Sequence, residues 1–381
     1  MRFRFILPPE VVFLFSKYFF KEGRDFMKLL KETLEAIKPV DEEAKKKAKE
    51  RMDNLTKPIG SLGVLEDIAI RMAGITGKVH NKMDKRNIVV MCADNGVVEE
   101  GVSACPQWFT KVLTENLTRG YTGVTVLSEL INSHVTTVDI GVNADIDNPK
   151  VINKKIAYGT KNMTKEPSMT REEAIKAIEV GIEISDKLYS EGYDILGTGE
   201  MGIGNTTTSG AVLSVFSGLS PDITCGKGSG LTDDQYEGKK NAVKKAIEIN
   251  KPDKNDPLDV ISKVGGFDIA GICGCFLSAA KNRKPIVIDG FISSAAALCA
   301  VRLNPIVKDY LFPSHLSKEP GAMYMMEEIG LKPMLNLEMR LGEGSGCPLA
   351  FQIIDSALYI MDNLATFEQS TLNKDVLIDI R

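Results

Sequence analysis

Histidine, tryptophan and paired cysteine are scarce in this sequence. Its 381 residues hold three histidines (His80, His134, His315) and one tryptophan. That is too few for a His-rich metal site. The seven cysteines, at 92, 105, 225, 273, 275, 299 and 347, form no CxxC pair and no Cys/His zinc spacing. Several lie in apolar runs, as reduced, buried thiols of a cytoplasmic protein do. Positive charge is not in excess: a net charge of −4 provides no basic field for nucleic acid. No apolar run spans a membrane. Phe3 to Phe20 is apolar but is broken by Pro8, Pro9, Glu10 and Lys17. It is too short for a span and lacks the small-residue cleavage site of a signal peptide.

What is present is a large-core composition, 43% hydrophobic, enough for one large domain or two ordinary ones. Residues 1–26 are expected to lie outside the fold, the alternative being a docking arm. Met27–Lys38 and Glu42–Asn54 read as amphipathic helices, and a third follows at Val64–Gly74. Short apolar strands then alternate with helices. Strands are expected at Ile88–Ala93, Val135–Gly141, Tyr193–Leu196 and Pro285–Ile288. Helices are expected near Trp108–Arg119, from the capping box Thr170–Glu173 to about Gly192, at Lys239–Ile249 and at Ser293–Val301. Residues 143–169 read as polar and irregular. This alternation implies an α/β fold with a mostly parallel, doubly wound sheet.

Acids followed by glycines recur at the expected strand ends: Asp94, Glu200, Asp289 and Glu343. Ligands of open α/β sheets bind at that edge. Leu335, Leu337, Met339 and Leu341 alternate as in a half-buried strand. The stretch runs into Gly342-Glu343-Gly344-Ser345-Gly346, a carboxylate held between flexible glycines.

Gly197-x-Gly199-x-x-Gly202 has more than one reading. It matches a dinucleotide fingerprint, which would make the chain an NAD-dependent oxidoreductase. However, the acid expected downstream, Asp222, sits in a loop, and Glu200 would repel pyrophosphate. A purely structural tight turn is a second reading. In the preferred one, the N–H groups of Gly202 to Thr207 open a helix and receive one phosphate, while Glu200 faces another part of the ligand.

Several stretches taken together are similar to the nicotinate-nucleotide–dimethylbenzimidazole phosphoribosyltransferase family of cobalamin lower-ligand assembly. They are Lys57-Pro-Ile-Gly-Ser-Leu-Gly63, Ala93-Asp-Asn-Gly-Val97 with Gly101-Val-Ser103 and Pro106-Gln107, and Gly199-Glu-Met-Gly-Ile-Gly-Asn-Thr-Thr207. Others are Gly265 to Gly271, Asp289 to Ser293, Ser314-His315 with Glu319-Pro-Gly321, and Arg340 to Gly346. The likeness runs from about Met27 to Phe367.

The resemblance implies a Rossmann-like large domain (86–333) and a small helical domain. Residues 27–85 and a C-terminal segment, 334–381, which also carries the active-site loop, would build the smaller one, in a homodimer. It implies transfer of phosphoribosyl from nicotinate mononucleotide to 5,6-dimethylbenzimidazole, with inversion and without metal or cofactor. In that reading Glu343 is the general base, and Glu200 orients the base or stabilises the ribosyl carbon. Gly202, Gly204, Asn205, Thr206 and Lys239, the last exchangeable with Lys240, hold the phosphate. Asp268, Asp289 and Ser317 contact ribose or cap helices. Met201, Leu341, Gln107 and Ser103 face the aromatic base. His315 is read as a structural hydrogen-bonding residue.

The chain departs from the family pattern at Asn95 and Ala322, where histidine is common, and at Cys347-Pro348. These departures leave open whether the acceptor is another benzimidazole, adenine or a phenolic.

Overall fold

The run Asn87–Ala93 is buried throughout, as a strand covered on both faces must be. It forms the centre of the sheet in the computed structural model, which describes residues 27–228, 230–370, 372 and 379–380. The expectation for residues 1–26 lies outside the described residues. In chain order the elements are α1 (Lys28–Ala36), α2 (Glu42–Asp53), α3 (Val64–Thr76), β1 (Arg86–Ala93), α4 (Phe109–Leu117), α5 (Gly123–Leu130), β2 (His134–Gly141), β3 (Ile152–Asn153), α6 (Arg171–Ser190) and β4 (Ile195–Met201). They continue as α7 (Asn205–Ser217), α8 (Pro221–Thr224), α9 (Asp233–Asn250), α10 (Pro257–Val264), α11 (Phe267–Asn282), β5 (Ile286–Ile288), α12 (Phe291–Leu303), β6 (Leu311–Pro313), α13 (Ala322–Ile329), α14 (Gly346–Asn363) and α15 (Phe367–Ser370).

The sheet order is β3-β2-β1-β4-β5-β6, and every pairing is parallel. This is the Rossmann-like doubly wound order, whose switch point falls between β1 and β4. The registers Val90↔Gly199 and Met91↔Glu200 fix how the two central strands end together. On one flank α2 and α3 pack with α14. Arg51 Nε donates to Met361 O at 2.8 Å, and Thr56 N donates to Ala365 O at 2.9 Å. The Lys57-Pro-Ile-Gly loop belongs to this flank: Lys57 Nζ donates to Glu66 Oε1 at 2.6 Å in a buried ion pair. The capping box reads as expected, with Thr170 as N-cap and Glu173 reaching back to it.

Three readings are corrected. First, the strand placed at Tyr193–Leu196 runs from Ile195 to Met201. Gly197 and Gly199 lie inside it, so the dinucleotide turn does not form. Those glycines mark close approach of other atoms: a Cβ on Gly197 would stand 2.7 Å from Cys347 Cβ. Second, Leu335–Leu341 is not a sheet strand. It makes a single bridge, His315↔Leu335, and lends carbonyls of Leu335 and Met339 to the N–H groups of Leu316 and Lys318. Glu338, at φ +55°, breaks the pleat, and Leu337 and Leu341 are exposed. Third, the irregular stretch 143–169 contains the short edge strand β3. The helix α5 had no recognised signal, because its capping box pairs Thr122 with Thr125 rather than with Glu or Gln.

Candidate active site

At the switch point the chain leaves β1 and β4 in opposite directions and opens a crevice. A Cβ on Gly202 would stand 2.1 Å from Ala93 O, so glycine is needed where β4 leaves the sheet. A cavity of ≈ 270 Å³ opens there. It is bordered by the end of β4, the turn after β5, the His315–Glu319 stretch and the Arg340–Glu343 loop.

Gly342, Glu343 and Gly344 have φ of +82°, +66° and +94°. A non-glycine residue holds such a conformation only where its surroundings impose it. Here Glu343 N donates to Glu200 Oε1 at 3.3 Å. The N–H groups of Gly344 and Gly346 donate to the two oxygens of Asp289, at 3.0 and 2.6 Å. The loop rests directly on β4, where a Cβ on Gly199 would be 2.2 Å from Glu343 O. The Glu343 side chain is thereby turned to the first turn of α5, and Val124 N donates to its Oε2 at 3.3 Å. Burial pushes its carboxyl above the ordinary range, and the N–H groups of Val124 and Gly123 pull it back down. The outcome is a carboxylate at the cavity wall that is more basic than a surface one.

Three further acids lie behind it. Burial, then the charges of Asp268 and Asp289, push Glu200 up to about 8. Burial pushes Asp289 to about 7, against the N–H groups of Gly346 and Gly344, and Asp268 to about 6. Of the three, Glu200 is pushed up furthest. Asn205 Nδ2 donates to its Oε2.

The helix α7 opens at Asn205 with Gly204 as its N-cap residue. Such an end attracts anions. Three of the N–H groups in this turn are already engaged. Ile203 donates to Thr110 Oγ1 at 3.1 Å, while Asn205 and Thr207 donate to the carbonyls of Gly202 and Gly204. Lys239, wholly buried, donates from Nζ to Thr206 Oγ1 at 2.8 Å. Burial pushes its ammonium down, and the charge of Glu319 supports it. Lys240 instead pairs on the outside with Glu237 and Asp222.

A family model described as phosphoribosyltransferase matches residues 37–372. The chain is 62% identical to the nicotinate-nucleotide–dimethylbenzimidazole phosphoribosyltransferase of Clostridium tetani, covering 93% of this chain and 98% of that protein. It is 52% identical to the protein of that name from Clostridium acetobutylicum, over 89% and 96%. The crystal structure of CobT from Thermus thermophilus superposes with a TM-score of 0.84 at 37% identity, over 87% and 99% of the two chains. The chain belongs to the nicotinate-nucleotide–dimethylbenzimidazole phosphoribosyltransferase family.

With the family settled, the residues singled out from sequence can be placed. Glu343, Glu200, Met201 and Gly202 border the cavity, as do Gly204, Asn205 and Thr206. Ser103, Asp289, Ser317 and Leu341 border it as well. Leu341 does so as an exposed rim residue, 59% accessible. Gln107, Lys239 and Asp268 stand outside its lining. Gln107 Oε1 accepts from Asn143 Nδ2 at 3.3 Å. Asp268 Oδ1 accepts from Ile269 N at 2.9 Å, at the start of α11. The two oxygens of Asp289 accept from the Glu343 loop and the first turn of α14.

Sequence reasoning gave no site role to Arg340, Glu319 or Cys105, which also border the cavity. Arg340 and Glu319 could have been found, since both lie inside stretches that carry the family likeness. Of the departures, Cys347 is buried with Sγ toward Thr198 O at 3.5 Å, and Asn95 is buried beside Gly266. Ala322 opens α13. Among the described residues, no helix is long and apolar enough to cross a membrane.

Proposed function

We propose that this chain transfers phosphoribosyl from nicotinate mononucleotide to 5,6-dimethylbenzimidazole or a related base, giving α-ribazole 5′-phosphate and nicotinate. The observation that carries the reading is Glu343, a nearly buried carboxylate held at the cavity wall by contacts to its own backbone. One ring nitrogen of the base bonds to C1′ as the other loses its proton, and Glu343 Oε1 or Oε2 takes that proton. The bond from C1′ to the pyridinium nitrogen breaks, and its electron pair neutralises the ring, so nicotinate leaves without an added acid. Attack from the opposite face inverts the anomeric carbon.

Burial and the neighbouring charges of Asp268 and Asp289 push the Glu200 carboxyl up, which limits its charge repulsion toward Glu343. The ionised Glu200 carboxylate stabilises the positive character that the pyridinium ring passes to the ribosyl carbon as their bond breaks. The N–H groups of Gly204 and Thr206, with the Thr206 hydroxyl and Lys239 behind it, seat the 5′-phosphate. Ser317 reaches the ribose. Met201, Ile203, Val102 and Leu113 line the cavity and supply apolar surface for a flat ring, with Ser103 and Leu341 also at its wall. The departing nucleotide base is part of the donor, so the reaction calls for no separate cofactor.

This reading places the chain in the cytoplasm as a homodimer. Exposed Trp108, Tyr121, Val126 and Leu130 on and beside α4 and α5 offer apolar surface for that contact. The test is a panel of purified protein, nicotinate mononucleotide and several bases, with nicotinate release followed by chromatography. Release with dimethylbenzimidazole or a related base is expected. No release with any base would end the transferase reading.

A further inference from the structure

We propose that Asp94 is a positioning residue: through Thr110 it holds the Gly202–Thr206 turn in the shape that receives the nucleotide's phosphate. The inference rests on the reading of that turn as the phosphate seat. Asp94 follows β1 directly and is 2% exposed. Its backbone is fixed on both sides, Asp94 N donating to Gly141 O at 2.9 Å and Thr160 N to Asp94 O at 3.0 Å. Both side-chain oxygens are engaged. Asn143 N donates to Oδ2 at 2.8 Å, and Thr110 Oγ1 donates to Oδ1 at 2.7 Å. The carboxylate cannot rotate without losing one of them. The charges of Lys155 and Asp139 act on it, in opposite directions.

Thr110 is wholly buried in α4. A hydroxyl has one hydrogen, and Asp94 takes it. The Thr110 lone pairs are left to accept Ile203 N–H at 3.1 Å. Asp94 thus sets the direction of the Thr110 hydroxyl, and the hydroxyl sets Ile203. Ile203 sits between Gly202 and Gly204, which offer no side chain to hold the turn themselves. Three elements from different parts of the chain meet in this relay, and neither Asp94 nor Thr110 borders the cavity.

Thr110→Val keeps the shape but leaves Ile203 N–H without an acceptor. Asp94→Asn must keep its oxygen toward Asn143 N, so its amide hydrogens face Thr110 and the hydroxyl loses its acceptor. The experiment compares affinities for nicotinate mononucleotide and for nicotinate riboside, which lacks the phosphate, in the full chain and its variants. Thr110→Val is expected to weaken the mononucleotide roughly ten-fold, the net worth of about one hydrogen bond, and to leave the riboside unchanged. Thr110→Ser should restore it. Asp94→Asn should give the same pattern, and the double variant should be no worse than the worse single one. Should Thr110→Val fail to fold, Asp94→Asn carries the same comparison. Equal weakening of both ligands, or of neither, overturns the relay. If the unaltered protein does not distinguish mononucleotide from riboside, the phosphate seat itself is wrong.

Discussion

The backbone N–H of Glu343 donates to Oε1 of Glu200 at 3.3 Å. One acid therefore fixes the main chain of the other, and does so from the end of β4, the rigid centre of the sheet. The Glu343 carboxylate is left to face the cavity and the first turn of α5. A proton acceptor needs a fixed position before it needs a tuned affinity, and this pairing provides the position.

Replacing Glu343 with Gln keeps an oxygen for Val124 N–H but removes the proton acceptor. Turnover is expected to drop roughly 10²–10⁴-fold, the usual worth of a general base, with an unchanged melting temperature. Steady-state nicotinate release measures it, and unaltered turnover would strip Glu343 of the role.

Gly199→Ala would place a methyl group 2.2 Å from Glu343 O. The strand is anchored on both sides by β1 and β5, so the loop must give way. A stability loss of about 1–3 kcal/mol is expected from overpacking, together with loss of turnover. Denaturant melts and kcat measured side by side check it. A stable variant with full activity would show that the loop has other positions available.

Lys239→Met keeps most of the volume and removes the donor to Thr206 Oγ1. The expected outcome is a raised KM for the nucleotide with the KM of the acceptor base unchanged. The opposite split would place Lys239 at the base rather than the phosphate.

Asp289→Ala strips the acceptors from Gly344 N and Gly346 N. Loss of such a helix cap costs about 1–2 kcal/mol, and turnover should fall because the Glu343 loop loosens. Chemical denaturation and kcat report the two effects, and full activity would show that Glu343 is held without Asp289.

Stability should depend on pH with a definite sign. Glu200 is raised from its ordinary 4.5 to about 8, Asp289 from 3.8 to about 7, and Asp268 from 3.8 to about 6. The folded state holds these protons more tightly than the unfolded chain does. Their contribution is fully present below the unfolded values and is lost as pH rises through the folded ones. The melting temperature of the protein without added substrate is expected to be higher near about pH 6 than near about pH 9, and Glu200→Gln should shrink the difference. A melting temperature that rises across this window would contradict the burial of these acids.

Much of the fold was legible in the sequence. The apolar run at Ile88–Ala93 and the capping box at Thr170 and Glu173 are local signals, and each formed where it was read. Local signals also misled. Leu335 to Leu341 alternates like a strand, yet Glu338 turns out of the pleat and the segment makes only one bridge. Gly197 and Gly199 spell a turn, yet they are strand residues thinned so that Cys347 and the Glu343 loop can lie against them. No local signal, in turn, pointed from Asp289 to the first turn of α14 and the loop before it, whose N–H groups donate to it. None of these partners is near in sequence.

The sequence by itself determined the alternation of strands and helices, the glycine-flanked Glu343 and the stretches that carry the family likeness, because hydrophobic period, capping and turn chemistry act over a few residues. Only the tertiary structure decided which atoms those residues meet. Val124 N reaches Glu343 Oε2 across 219 residues of chain. Ile203, Thr110 and Asp94 come together from three separate elements. Such contacts depend on the order in which parallel strands assemble and on the close approach that glycine permits, and neither is written in the spacing of any one segment.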